Sequence, residues 1–286
     1  MNIFNDWRFW CIFYLICSIT FAQKFKKSNR NMKDAGSLTI LLEDFTGLFA
    51  LLLIPFFEIK FSLDINILLI LIAVVIIYAV TDRLNIEARY GLDPSVFSML
   101  KQLSTVFLMI FGFIFLNETV IITKVIGAVL IIIANLLLTF DNGKIKINKY
   151  FIMCFFSNFL FAIAMLINVN ISENFNLAIY TFMTVFIPAN IIYLVGRKSF
   201  KGLRKEFNRL KKIDFLIAAF CWSLMLISSV RAYQLGNVTV VAPILTLTSI
   251  LNALYEYFIC HNKKNFKIKI ISAVLIIIGV ILIRVI

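Results

Sequence analysis

Two charged residues, Lys101 and Glu256, lie inside long apolar stretches of the sequence, where ionic groups are rare. A charge at the centre of a membrane-inserted helix costs about 2.5–3.5 kcal/mol, so it is kept mainly where it faces a cavity or a partner. The residue types predict binding chemistry: Lys101 binds an anionic group, and Glu256 either neutralises Lys101 or takes up a proton. The alternative is that each side chain reaches the lipid headgroups separately, which Lys does readily and Glu poorly.

The sequence motifs of the common enzyme classes are absent. The chain has one histidine, His261, and no HExxH, GxSxG, paired-aspartate or phosphate-binding Gly-Lys-Ser/Thr motif. Its 5 cysteines show no CxxC spacing, and potential metal ligands are scattered along the chain. The sequence therefore predicts no catalytic residues, no cofactor and no metal site.

The composition is that of an integral membrane protein. The chain is 62% hydrophobic with a mean hydropathy of +0.96, whereas soluble domains are roughly 45–50% apolar. The apolar stretches are continuous over helix-length windows, which predicts membrane-spanning helices and disfavours a barrel. We expect an all-α protein with ten transmembrane helices near residues 4–22, 38–57, 66–89, 94–116, 122–140, 149–170, 176–196, 213–235, 240–260 and 268–286.

The net charge of +13 follows from membrane topology and predicts no nucleic-acid partner. Nearly all of the 28 Lys and Arg residues fall in alternate loops; the exceptions are Lys101 within a span and, on the other side, Arg8, Lys60, Lys124, Arg231 and Arg284. Counted by the positive-inside rule, the loops after helices 1, 3, 5, 7 and 9 are cytoplasmic and both termini are outside.

The ten spans form two sets of five with the same order of features. In each set a polar stretch, 82–90 or 231–237, leads through a short segment with a proline, Pro94 or Pro243, into an apolar helix. The last helix of each set carries two small residues seven apart, which lie on one face and allow a neighbouring backbone to approach. These residues are Gly127 with Ala134, and Ser272 with Gly279.

This order resembles the ten-helix EamA-type permeases of the drug/metabolite transporter (DMT) superfamily. Glu118 with Gly127 matches the family motif in the first half, whereas His261 or Asn262 stands where the second half would have its Glu. The resemblance covers about residues 4–286 and implies two EamA-like five-helix repeats, 1–143 and 144–286, with a tight turn between them at 141–144. Because five is an odd number, the second repeat would be inverted in the membrane. The family habit also places both termini in the cytoplasm, opposite to the charge count, so the orientation stays open.

The resemblance implies a central cavity lined by helices 1, 3, 4, 6, 8 and 9. A solute site needs amides to orient the solute, aromatic rings to stack on it and a charge to select its sign. The alternative for each residue is an interhelical hydrogen bond or plain packing. The candidate substrate-binding residues on these helices are Lys101, Gln102, Glu256, Asn252, Trp222 and Tyr14.

The inverted arrangement also predicts contact between the two interior charges. Lys101 lies about 12 Å into helix 4 and Glu256 about 8 Å from the corresponding end of helix 9. Both depths are measured from the basic side of the membrane. We therefore expect Lys101 and Glu256 to approach each other, directly or through a water.

Other charged residues carry weaker expectations. Glu43 and Asp44, early in helix 2, would complement the neighbouring basic loop, and Arg83 would pair with Glu87 four residues on. Apolar residues at helical spacing among the cations of 196–214 predict either a helix in the headgroup layer, bound to anionic lipid, or a solvated basic loop.

The expected function is transport of a small organic metabolite by alternating access, as a multi-pass permease or exporter of the inner or plasma membrane. Without an ATP-binding motif, transport would be facilitated or driven by a solute or ion gradient, with proton or sodium as coupling ion. The alternatives are a flippase of a lipid-linked intermediate and, from another class, a membrane-embedded enzyme. A cavity open sideways to lipid would favour the flippase.

Overall fold

The described part of the chain is almost entirely helical in the computed structural model. It comprises residues 3–115, 121–138, 140–141, 144–145, 147–168, 171–236, 241, 244–262 and 265–284. The α-helices are α1 (Trp7–Ser28), α2 (Ala35–Leu51), α3 (Ile65–Gly91), α4 (Pro94–Leu100), α5 (Leu103–Phe115), α6 (Ile122–Leu138), α7 (Lys149–Asn168), α8 (Leu177–Val195), α9 (Phe200–Phe207), α10 (Lys212–Leu235), α11 (Thr248–Phe258) and α12 (Phe266–Arg284).

The helices have the length and surface of a membrane protein. By length and composition alone, four described stretches are able to cross a membrane: Ile65–Gly91, Leu177–Val195, Lys212–Leu235 and Phe266–Ile283. Large apolar side chains are exposed along α3, α6 and α12. A soluble protein seldom exposes so much contiguous apolar surface, which fits contact with lipid tails.

Helices from the two ends of the chain pack in antiparallel pairs. These pairs are α1 with α10, α2 with α8, α3 with α7, α4 with α11, and α6 with α12; in addition, α3 packs against α8, α2 against α10 and α5 against α7. In the first pair, Lys24 near the end of α1 meets Asp214 at the start of α10, while Trp7 at the other end meets Gly236. The same reversal of direction holds in the others. In each pair the start of one helix therefore lies beside the end of the other.

Helices α6 and α12 cross closely at two glycines. A Cβ added to Gly127 would lie 2.5 Å from the backbone oxygen of Gly279, and one added to Gly279 would lie 2.6 Å from that of Gly127. Ala134 and Ser272 are fully buried. The prediction that small residues let a neighbouring backbone approach is confirmed.

The fourth predicted span, 94–116, is wrong as a continuous helix. It consists of α4 and α5, separated by a turn at Lys101 and Gln102. The backbone NH of Ser104 bonds to Lys101 O, three residues back, in a tighter turn, which frees the carbonyl of Leu100. That carbonyl accepts a bond of 2.9 Å from the Nδ2 of Asn158 in α7. A side chain from another helix thus provides the hydrogen bond that the Leu100 carbonyl lacks within its own helix. The sequence of the span itself gives no sign of the break.

The predicted turns and loops agree where the structure describes them. Phe140 pairs with Ile145 and Asp141 with Lys144 in a two-residue antiparallel ladder around the predicted turn. The predicted helix among the cations of 196–214 is confirmed as α9. The family-motif residue Glu118 and part of the predicted ninth span, 237–240 and 242–243, lie outside the described residues.

Candidate functional site

The junction between α3 and α4 is clamped by two charges from other helices. Lys26 of α1 donates from Nζ to the carbonyl oxygens of Tyr90 and Leu92, both at 2.9 Å. Glu256 of α11 accepts from the backbone NH of Ser95 at 2.8 Å and from its hydroxyl at 2.6 Å. A cation at the C-terminal end of α3 and an anion at the N-terminal end of α4 both match the helix dipoles. Lys26 and Glu256, here called the clamp, therefore hold the start of α4 from two sides.

Glu256 is paired with Lys269 of α12, and this contact corrects the expected pairing with Lys101. Lys269 Nζ lies 2.7 Å from Glu256 Oε2, and the two side chains are 5% and 4% exposed. Asp93 lies 3.5 Å from the same ammonium. The prediction of a direct Lys101–Glu256 ion pair is therefore wrong. Lys269, which the charge pattern assigned to a basic loop, points into the bundle and pairs with Glu256 instead.

Lys101 lies at the break between α4 and α5, in the interior. Its Nζ sits 4.2 Å from the centre of the Phe161 ring of α7, a cation–π contact. Its charged and titratable neighbours are Cys154, Arg89 and Asp82.

Arg89 is an interior cation that the sequence analysis missed by counting it among the loop residues. Its guanidinium carbon lies 3.9 Å from the Phe97 ring centre and 4.8 Å from that of Phe21. Its Nε is buried without a hydrogen-bond partner. The signal was available: Asp82, Asn85 and Arg89 share one face of α3 at three-to-four spacing.

A narrow recess opens beside Arg89 at the clamped junction. It is lined by Ala22, Phe25, Lys26, Arg89, Leu92, Pro94 and Phe97, and it has room for about one water molecule. Two of its lining residues are cations. The recess is electropositive, and a solute of metabolite size would need the surrounding helices to separate before it could enter here.

The predicted amides and aromatic residues mainly join helices to one another. Asn252 accepts a bond of 3.0 Å from Gln23 Nε2 of α1 and donates to Thr248 O within α11. Gln102 Nε2 lies 3.4 Å from Ser98 O in α4.

The two aromatic candidates lie in the interior near Arg89. The Trp222 ring centre is 4.9 Å from that of Phe21 and 6.0 Å from the Arg89 guanidinium. Tyr14 is an electrostatic neighbour of Arg89. The structure thus brings Lys101, Trp222 and Tyr14 around Arg89, while Glu256 and Asn252 are engaged by partners of their own.

Two expectations for the charged residues have opposite outcomes. The pair between Arg83 and Glu87 is confirmed, with 2.7 Å between their charged atoms. The expectation that Glu43 complements a basic loop is wrong: Glu43 is 0% exposed, and neither carboxylate oxygen has a hydrogen-bond partner. Glu43 points into the bundle because α2 is packed against α3, α8 and α10.

The described residues contain no group of three or more His, Cys, Asp or Glu placed to hold a metal ion. The polar chemistry of the interior is therefore that of charges, hydroxyls and amides, as the residues above show.

Comparison with known proteins supports the family resemblance for the first half of the sequence. No curated protein matches the chain. Among solved structures, 18 chains match; one, described only as the crystal structure of a protein, has a TM-score of 0.57 at 10% identity and covers 96% of this chain and 95% of that chain. Such a likeness shows the fold alone. The model of the EamA-like transporter family matches residues 8–140, which confirms the resemblance over this part of the chain and is consistent with a membrane permease of the DMT superfamily.

Proposed function

We propose that this chain is a permease of ten transmembrane spans in two inverted five-span halves, which moves a small organic solute by alternating access. The helix pairing carries the proposal. In such a repeat the first five spans, α1, α2, α3, α4 with α5, and α6, are equivalent to α7, α8, α10, α11 and α12. When each helix is replaced by its equivalent, the pair α1–α10 becomes α7–α3, and the pairs α2–α8, α4–α11 and α6–α12 stay the same. This set of pairs is what two interlocked copies of one unit would form, and inverted repeats that rock against each other alternate access in this way.

The transported solute carries an anionic group. Arg89 and Lys101 place two cations in the interior, with Asp82 as the carboxylate among their electrostatic neighbours. Lys26 adds a third cation at the recess. A solute carboxylate or phosphate would complete the charge balance, since buried cations are stabilised by anionic partners. Gln102, Tyr14 and Trp222 surround this position as orienting and stacking groups.

The clamped junction between α3 and α4 serves as the gate on the basic side. In the conformation described, the recess beside Arg89 is too small for a metabolite. Opening requires α1 to move relative to the junction, which would break the Lys26 bonds to Tyr90 and Leu92. Glu256 and Asn252 then act by holding α4, α1 and α11 in place, and contact with the solute is assigned to Lys101 and Arg89.

The setting of the permease is the inner or plasma membrane. The cations around α9 face the membrane side that carries most of the positive charge, where anionic lipids attract them. Among the exposed residues there are Phe200 and Ile213, 75% and 76% exposed, which suit insertion between headgroups. The proposal assigns the chain no enzymatic role.

Metabolite profiling of cells with and without the gene tests the function. The wild-type gene should change the level of one or a few metabolites that carry a carboxylate or phosphate. Lys101→Gln and Arg89→Gln should each abolish that change, because each removes a cation facing the solute. The matched control is Lys201→Gln, which alters an exposed lysine of α9 and should leave the change intact.

The membrane fraction of each variant must contain the same amount of protein for the comparison to hold. A wild-type gene that alters no soluble metabolite but redistributes a lipid-linked compound between leaflets would contradict the proposal in favour of a flippase. Full retention of the metabolite change in Lys101→Gln would contradict the assigned solute site.

A further inference from the structure

Glu43 of α2 is a buried carboxyl group that neither the clamp nor the solute site uses. It is 0% exposed, and both of its oxygens lack a hydrogen-bond partner. An ionised carboxylate without a partner is strongly disfavoured in an apolar interior, where a group of this kind takes up a proton instead. The geometry therefore favours a neutral, protonated Glu43 in this conformation.

The neighbours of Glu43 reinforce that state. Its charged neighbours are Asp82 of α3 and, on its own helix, Asp44. Helix α8 contains no Asp, Glu, Lys, Arg or His, and α10 contains none between Asp214 and Arg231. Helix α9 also packs against α2, but none of its charged residues, Lys201, Arg204, Lys205 and Glu206, is an electrostatic neighbour of Glu43. The charged neighbours of Glu43 are thus acids, and like charges at close range favour the protonated form of one of them.

The position of Glu43 links it to the cations of the solute site. Glu43 lies about 12 Å into α2 from its basic end, and Asp82 lies about 14 Å from the basic end of α3, at 1.5 Å per residue. Asp82 in turn has Lys101 and Arg89 as electrostatic neighbours. Asp82 is thus an electrostatic neighbour both of Glu43, which lies at a similar depth, and of the two interior cations.

We infer that Glu43 is the proton-binding site of the transport cycle, which makes the proton the coupling ion of the permease. The inference rests on the proposed function. When an anionic solute occupies Lys101 and Arg89, the charge of Asp82 is no longer balanced by these cations, so the acidic pair retains its proton. When the solute leaves, Asp82 is again balanced, and Glu43 releases the proton once the opened conformation admits water.

Carbodiimide labelling tests the protonation of Glu43. Dicyclohexylcarbodiimide reacts with protonated carboxyl groups in apolar surroundings, and it is applied to the full-length protein in lipid nanodiscs at pH 7. Peptide mass spectrometry should find the adduct on Glu43, with a yield that falls as the pH is raised. Glu43→Gln should lose this adduct.

The matched control is Glu256→Gln, another buried glutamate, whose removal should leave the Glu43 adduct unchanged. An unlabelled Glu43 at pH 7, or labelling that is independent of pH, would overturn the inference. Because labelling requires no solute, it is decided separately from the permease proposal.

Proton coupling is tested in cells with a protonophore. The metabolite change caused by the wild-type gene should shrink when the protonophore is added. In Glu43→Gln the change should no longer respond to it, since glutamine cannot bind and release a proton. A protonophore response equal to that of wild type in Glu43→Gln overturns the inference while leaving the permease proposal intact; no metabolite change in wild type overturns the permease proposal.

Discussion

The two buried glutamates, Glu43 and Glu256, show how differently one side chain behaves in two parts of this bundle. Both are nearly inaccessible, at 0% and 3% exposure. Glu256 receives two hydrogen bonds from Ser95 and an ion pair from Lys269. Neither oxygen of Glu43 has a hydrogen-bond partner. Because both glutamates are buried, they differ only in the hydrogen-bond and ion-pair partners that the neighbouring helices provide.

The difference separates a structural role from a functional one. A buried ion pair with further hydrogen bonds holds its helices in one arrangement, because separating the charges leaves each one unpaired. A buried carboxyl without a partner stabilises nothing and is retained mainly where its titration is used. Glu256 thus joins α4, α11 and α12 firmly, while Glu43 adds no hydrogen bond that holds α2 to its neighbours.

Removing the partner of Glu256 should have the largest effect. Lys269→Met leaves an uncompensated carboxylate in the interior, which we expect to cost about 3–5 kcal/mol in the free energy of unfolding. Thermal unfolding in detergent measures the loss.

The same variant makes Glu256 resemble Glu43. In Lys269→Met, carbodiimide should label Glu256 as well as Glu43. The double variant Lys269→Met with Glu256→Gln serves as the control and should recover part of the stability, because no buried charge remains. A Lys269→Met protein as stable as wild type would show that the Glu256–Lys269 pair does not hold the bundle.

A smaller effect is expected at the N-terminal end of α4. Ser95→Ala removes the hydroxyl that donates to Glu256 at 2.6 Å but keeps the backbone NH bond. A hydrogen bond to a charged group contributes about 1.5–3 kcal/mol, so the unfolding midpoint should fall less than in Lys269→Met. Ser98→Ala is the matched control, because Ser98 bonds within its own helix to Ser95 O. Equal losses in the two serine variants would contradict a special role for the Ser95–Glu256 contact.

The sequence predicted the all-helical fold, most of the described helices and the close approach of α6 to α12. These features follow from local patterns: apolar windows long enough to span a membrane, and small residues seven apart on one helix face. The EamA-like relationship is confirmed over residues 8–140. The arrangement of all ten spans as inverted repeats stays a proposal.

The site was less predictable because its contacts join residues far apart in the sequence. Asn158 stabilises the break at Leu100 from another helix, and Lys269 reaches Glu256 although its neighbours in the sequence lie in a basic loop. Helical spacing along α3 would have brought Arg89 into the site. The pairing of Lys269 with Glu256 had no such local signal, since it depends on how α11 and α12 pack.

The ion pair between Lys198 and Asp34 on the basic side is partly exposed, and breaking it should have the smallest effect on stability. Lys198 Nζ lies 2.6 Å from Asp34 Oδ2, and the side chains are 28% and 35% exposed. Burial by itself would raise the pKa of the Asp34 carboxyl, but the hydrogen bonds from Lys198 and Ser37 outweigh it and lower the pKa from 3.8 to about 2.

Because this pKa is lower in the folded protein, the Asp34–Lys198 pair stabilises the fold above about pH 4, and its contribution is lost as the pH falls towards 2. Lys198→Met should therefore destabilise the protein at pH 7 by at most about 1 kcal/mol, as for other solvent-screened pairs. The difference from wild type should disappear at the acid end, when thermal unfolding is followed against pH. A loss as large as that of Lys269→Met would mean that exposure to water does not separate the two pairs, and that the interior of this bundle offers charges no stronger coupling than its surface.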